Sequence, residues 1–187
     1  PVAEDSGLIV PIGEWGLDTA CAQLARWQAG AATRALSMSV NVSGRQFHRP
    51  DFPGMVRACI ERHAIDPAGL ELELTESVVL GNLDEAVERM RALRELGVRF
   101  SLDDFGTGYS SLSYLRTLPF DQIKIDQSFV RAMGEDDSSR AIVRAILAIS
   151  AALSLDVVAE GVETEEQRDA LCSDGCGLMQ GYLFSPP

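Results

Sequence analysis

The stretch with the clearest chemical potential is Asp103-Asp104-Phe105-Gly106-Thr107-Gly108-Tyr109-Ser110-Ser111. Two adjacent carboxylates precede a glycine-rich turn, and the apolar run before them, residues 98–102, reads as a strand. Mg²⁺ and Mn²⁺ favour carboxylate oxygens, and glycines let backbone amides approach an anion closely. The pattern suits a hard divalent cation beside a phosphate. Taken alone it is also the pattern of an ordinary turn whose aspartates cap the next element.

Further polar groups stand at the ends of the other strand-like runs: Asn41, Glu73, Lys124, Glu160 and Gln180. Singly, each has a plain structural reading, as a cap, a surface acid, a lysine paired with Asp126, or an acid at a helix start. Six polar endings on otherwise apolar strands favour a shared task. Carboxylates plus an amide oxygen are hard-metal ligands. Two ions about 3.5–4 Å apart would polarise a phosphodiester and activate a water between them. A nearby lysine can assist water deprotonation or neutralise developing charge. With only His48 and His63 in the chain, no Ser-His-Asp or Cys-His arrangement offers a competing nucleophile. The residues point to metal-assisted phosphodiester hydrolysis.

The elements that position these groups alternate. Strand-like runs fall near 36–42, 70–75, 98–103, 122–126, 156–160 and 178–182, with helical stretches near 14–28, 52–63, 83–96, 110–115, 138–153 and 165–172. Such alternation predicts a parallel sheet. Glu71, Glu73 and Thr75 share one strand face against Leu70, Leu72 and Leu74, and Gln122, Lys124 and Asp126 oppose Ile123 and Ile125. An open doubly wound sheet would read as continuous apolar runs, so a barrel with a polar interior is expected. Eight strands and about 250 residues make a full barrel. The expectation here is an α/β chain forming an incomplete TIM-like (β/α)8 barrel, about two amino-terminal strands short, as one domain over 1–187. Residues 1–11 read as the tail of an irregular segment.

The net charge of −12 argues against DNA or RNA as a partner. Cys21, Cys59, Cys172 and Cys176 contain no Cys-x-x-Cys pair and read as reduced thiols of a cytoplasmic protein. No apolar run reaches membrane-spanning length and no signal peptide opens the chain, although a larger parent could be anchored through another region.

Asn41-Val42-Ser43, Glu73-Leu74-Thr75-Glu76, the stretch from Asp103 to Leu112, Lys124-Ile125-Asp126, Ala159-Glu160-Gly161-Val162-Glu163-Thr164 and Gln180-Gly181-Tyr182-Leu183-Phe184 occur in this order. The whole pattern resembles the EAL-domain cyclic di-GMP phosphodiesterases. The resemblance implies hydrolysis of cyclic di-GMP to linear 5′-pGpG with Mg²⁺ or Mn²⁺, two ions in all. By position, Asn41, Glu73, Asp103 and Asp104 would bind metal, Lys124 would act on the attacking water, and Glu160 and Gln180 would complete the metal and water shell. Phe105, Gly106, Thr107, Gly108, Tyr109 and Ser110 would form a loop coupling metal, substrate and dimerisation, with Glu76 holding it and Glu163 in the matching acidic motif. The resemblance also implies a homodimer, and fusion to regulatory domains such as GGDEF or sensor domains. The Glu-x-Leu motif that names the family would precede Pro1, so the chain reads as an amino-terminally truncated EAL domain. The alternative is a catalytically incomplete domain that acts as a cyclic di-GMP-binding or protein-interaction module.

Overall fold

The structure, a computed structural model, describes residues 2–106, 112–134 and 136–186. The chain divides into two compact units, Pro1–Phe100 with Thr117–Pro119, and Ser101–Arg116 with Phe120–Pro187.

The first unit opens with helices α1 (Val2–Asp5) and α2 (Ile9–Ala29). This corrects the irregular start expected for residues 1–11. Pro11 is the third residue of α2, within the first turn, where a helix makes no use of the missing N–H. Leu17, Cys21 and Leu24 recur at helical spacing and are buried. Then follow β1 (Met38–Asn41), α3 (Gly44–Phe47), α4 (Phe52–His63) and a 3-10 turn, Pro67–Gly69. Next come β2 (Leu70–Thr75), α5 (Glu76–Leu80) and α6 (Leu83–Arg94). Helix α4 has the expected bounds because Phe52, Val56 and Cys59 form one buried stripe, proline occupies its first turn, and Ala64 ends it in a left-handed conformation. Strands β1 and β2 pair in parallel without a break, from Met38 against Leu70 to Asn41 against Glu73. Strand β2 is buried on both faces, so Glu71 and Glu73 lie out of solvent, and Glu71 accepts a 3.0 Å hydrogen bond from the Ser39 hydroxyl.

Strand β3 (Arg99–Phe105) leads into the second unit. After it come α7 (Leu112–Leu115), β4 (Gln122–Ile125), α8 (Gln127–Ala132) and α9 (Asp137–Leu153). The chain finishes with β5 (Asp156–Ala159), α10 (Glu165–Ser173) and β6 (Leu178–Met179). Helix α9 buries Val143, Ile146 and Ser150 at a spacing of three and four, the stripe a helix lays on a sheet. Helix α10 starts at a reciprocal cap between Thr164 and Gln167. Strand β6 is shorter than expected because the chain turns at residues 182–184.

Strand order follows the chain from β1 to β6, and the pairs β1–β2, β3–β4, β4–β5 and β5–β6 are parallel. Helices separate successive strands throughout. This is the α/β class and the connectivity of a TIM-like (β/α)8 barrel, with six strands among the described residues. No helix among the described residues is long and apolar enough to cross a membrane.

Candidate functional site

In a regular strand neighbouring side chains point to opposite faces, which would send Asp103 and Asp104 apart. The β3–β4 register shifts between Leu102 and Phe105, and Asp104 has a positive φ of 54°. The strand bulges there. Aspartate is among the few non-glycine residues that tolerate this conformation, and a bulge re-aims a side chain. As a result, carboxylate oxygens of Asp103, Asp104 and Glu160 all lie within 4.8 Å of one another.

Lys124, near the carboxyl end of β4, is only 5% exposed. Its ammonium lies 2.7 Å from Glu160 Oε1 and 3.1 Å from Asp103 Oδ1. A buried charge needs such pairing. Glu160 is placed by its backbone, whose N–H extends the β4–β5 ladder by donating to the Ile125 carbonyl at 3.1 Å. The Asp104 amide donates to Asp103 Oδ1 at 3.1 Å, which fixes the first carboxylate against the bulge.

The Asp104 carboxyl is held above the usual carboxylate range, first by burial, then by the charges of Asp103 and Asp126, with a hydrogen bond to Asp126 contributing. Asp126 caps α8 by accepting from the Ser128 amide at 2.9 Å. It bonds the Asp104 carboxyl, whereas the sequence placed it on the polar face of its strand beside Lys124 without giving it a site role. Its contact with Asp104 depends on the bulge, which alternation does not disclose. Crowded acids, one of them resisting ionisation, are a hard-oxygen donor set whose mutual repulsion a divalent cation would relieve. The residues fit such an ion.

Asn41 and Glu73 are direct cross-strand partners at the carboxyl ends of β1 and β2. Glu73 is buried and Asn41 exposed, and the Val42 amide continues the ladder to the Glu73 carbonyl at 3.0 Å. Glu76 opens α5 and is buried.

Gln180 lies just past β6, where its amide donates to the Ala159 carbonyl at 2.8 Å and its carbonyl accepts from Val162 at 3.0 Å. It lines a cleft of about 220 Å³ together with Glu160, Glu163, Arg131 and Tyr182. Glu163 accepts from Arg131 at 2.7 Å on the exposed rim. Gly161 has φ of 68°, and a Cβ there would stand 2.5 Å from Gln127 Cβ, so the loop carrying Glu160 requires glycine. Phe105 is buried at the end of β3, and Gly106 packs against the Phe129 ring. Thr107, Gly108, Tyr109 and Ser110 lie outside the described residues.

The family model described as EAL domain matches residues 1–187. The chain belongs to the EAL-domain family. It is 46% identical over 187 residues to an uncharacterized signaling protein of Caulobacter vibrioides. It is 44% identical over 187 residues to the bifunctional diguanylate cyclase/cyclic di-GMP phosphodiesterase MucR of Pseudomonas aeruginosa. Both matches take in the whole chain, which spans 22% and 27% of the length of those relatives. Among solved structures, the MucR phosphodiesterase in complex with c-di-GMP superposes with a TM-score of 0.95 at 44% identity, covering 100% of this chain and 75% of that one. Within this EAL domain the structure brings Asp103, Asp104, Lys124 and Glu160 together, pairs Asn41 with Glu73, and sets Gln180 and Glu163 on one cleft.

Proposed function

We propose that this EAL domain is a metal-dependent phosphodiesterase that hydrolyses cyclic di-GMP to linear 5′-pGpG. The observation that carries the reading is the bulge-built meeting of Asp103, Asp104 and Glu160 around the buried Lys124 ammonium. Asp103 and Asp104, and in the first unit Asn41 and Glu73, are the proposed metal ligands, for Mg²⁺ or Mn²⁺ and two ions in total. Bound there, a divalent cation supplies Lewis-acid polarisation of the phosphodiester and lowers the pKa of its water. The protein's own groups do the rest. Lys124, held as an ammonium between two acids, acts on the attacking water as a hydrogen-bond donor and steadies charge gathering on the phosphorus oxygens, while a carboxylate of the cluster takes the water's proton. Glu160 holds Lys124, and Gln180 orients the water from its place on the cleft beside Glu160. Water adds at phosphorus, one P–O3′ bond breaks, and a 5′-phosphate and a free 3′-hydroxyl result.

In the same reading, residues 1–187 act as one domain within a larger regulatory protein, fused to domains such as GGDEF or a sensor. The segment from Phe105 to Ser110, supported by Glu76 and Glu163, links substrate binding to homodimer formation. The test is turnover of cyclic di-GMP with Mn²⁺ by this chain and by Asp103→Asn. Linear product from the first and none from the second is expected. Equal product from both would remove the metal site from the mechanism.

A further inference from the structure

Arg89 carries a charge that the proposed chemistry does not use, and its side chain is only 10% exposed. From α6, one guanidinium nitrogen donates to the carbonyls of Phe47 and Arg49, and the other donates to Glu85 one turn earlier. The guanidinium also lies 5.7 Å from the centroid of the Phe47 ring, a cation–π distance. Glu85 is itself fixed, since the Asn82 side chain donates to it at 3.1 Å.

What Arg89 grips is the exit of α3. That helix has four residues, too few to hold itself, so its ends must be held from outside. At its start, Ser43 and Gln46 cap each other reciprocally. Gly13 of α2 leaves the space for Gln46, because a Cβ there would stand 1.7 Å from Gln46 Nε2. At its end stands Arg89. Asn41 lies two residues before the cap, and the Val42 amide is tied to the Glu73 carbonyl at 3.0 Å. Residues 41–49 are therefore pinned at both ends and at the middle.

We propose that Arg89 is a positioning residue for the metal ligands of the first unit. By holding the carboxyl end of α3, it fixes how the chain leaves β1 and how Asn41, beside Glu73, presents its side-chain oxygen to a divalent cation. The inference rests on reading Asn41 and Glu73 as metal ligands. Lysine does not substitute, because a point charge cannot span two carbonyls and a carboxylate as a planar fork does.

The test follows the Asn41 side-chain amide by NMR while Mn²⁺ is added to the wild-type chain, Arg89→Lys, Arg89→Met and a Glu73→Gln control, with melting temperatures recorded alongside. Because Mn²⁺ broadens nuclei beyond its own ligands, only the part of the Asn41 broadening that Glu73→Gln removes is read as metal at that pair. Partners bonded directly to a metal ligand typically govern affinity by roughly 10- to 100-fold, and Arg89 acts one step further out, through α3. Arg89→Lys is expected to need up to about ten times more Mn²⁺ for half-broadening, with Glu73→Gln weaker still. If Arg89→Met melts below the working temperature, Arg89→Lys, which keeps the charge, decides the comparison. Half-broadening at the wild-type Mn²⁺ concentration in a folded Arg89→Lys chain overturns the positioning role and leaves the ligand assignment intact. Absence of broadening at Asn41 in the wild type, with Mn²⁺ bound elsewhere, overturns the ligand assignment and the inference with it.

Discussion

The ends of β2 and β3 present their acids by opposite means. At β2, Glu73 sits in an unbroken parallel register with Asn41 across the strand pair, and the ordinary alternation of the strand delivers its side chain. At β3, the register slips and Asp104 takes a left-handed conformation, so two consecutive carboxylates reach one place. A regular strand offers one side chain per two residues to a given face. Bringing adjacent acids together requires a break in the ladder, and the cost of that break falls on Asp104. Regularity gives placement with little strain, whereas the bulge concentrates charge at the expense of local stability.

The largest consequence lies in the chemistry. Lys124→Met removes the only ammonium on Asp103 and Glu160 among the described ion pairs. Cyclic di-GMP turnover should then fall about 10²- to 10⁴-fold in kcat, with KM little changed. Asn41→Ala, at the regular end, removes one proposed ligand and should raise the Mn²⁺ requirement more than it lowers kcat at saturating metal. Kinetics showing the same kcat loss for both variants would erase the distinction between the two ends.

Backbone substitutions sharpen the contrast in stability. Gly161, in the loop that carries Glu160, has φ of 68° and would place a Cβ 2.5 Å from Gln127. Gly161→Ala should cost about 3 kcal/mol, from the left-handed conformation together with overpacking. Gly44, at the start of α3 beyond the regular end, would meet only Val78 Cγ2 at 3.5 Å, an ordinary contact. Gly44→Ala should be neutral or stabilising by up to about 1 kcal/mol, since alanine is the better helix former. Chemical denaturation of the pair measures the difference directly.

The same contrast explains what the sequence disclosed. The end of β2 at Glu73 was readable because Leu70, Leu72 and Leu74 alternate with Glu71 and Glu73, although in the structure both faces of the strand are buried. Helix α4 was readable because a buried stripe and a proline in the first turn agree. The beginning of α2 was hidden by Pro11 and Gly13, residues that usually argue against helix. Pro11 is harmless in a first turn, and Gly13 is required by the Gln46 amide packed on it. Short helices such as α3 and α8 have too few residues for a period to register and exist through caps, at Ser43 and Asp126. The bulge had no local signature beyond an aspartate that tolerates positive φ, so the role of Asp126 stayed hidden with it.

Strain at the bulge should be recoverable. Asp104→Gly relieves a left-handed non-glycine residue and removes one of the crowded acids. In EDTA the variant should be more stable than the wild type by about 1 kcal/mol. In Mn²⁺ the order should reverse, because the wild type gains a ligand-linked stabilisation that the variant lacks. Melting curves with and without metal decide it. A variant less stable than wild type in EDTA would mean that the bulge is not strained.

The smallest effect comes from an acid in the opposite surroundings. Asp136 caps α9 among donors, with hydrogen bonds from the Ser138 hydroxyl at 2.6 Å, the Ser139 hydroxyl at 2.8 Å and the amides of both residues. These bonds, the Ser138 hydroxyl first, lower its pKa from 3.8 to about 2, whereas Asp104 among acids is shifted upward. A depressed carboxyl pKa contributes stability that is present above the unfolded value, and that stability fades as pH falls through the folded one. Between pH 4 and 2 the wild-type chain should therefore lose stability faster than Asp136→Asn, which keeps a capping oxygen but does not titrate. Above pH 5 the wild type should be modestly the more stable of the two, since the ionised carboxylate is the stronger acceptor. Parallel acid-denaturation profiles for the two proteins would mean that α9 is held by its buried stripe alone, and that donors around an acid matter less here than acids around an acid.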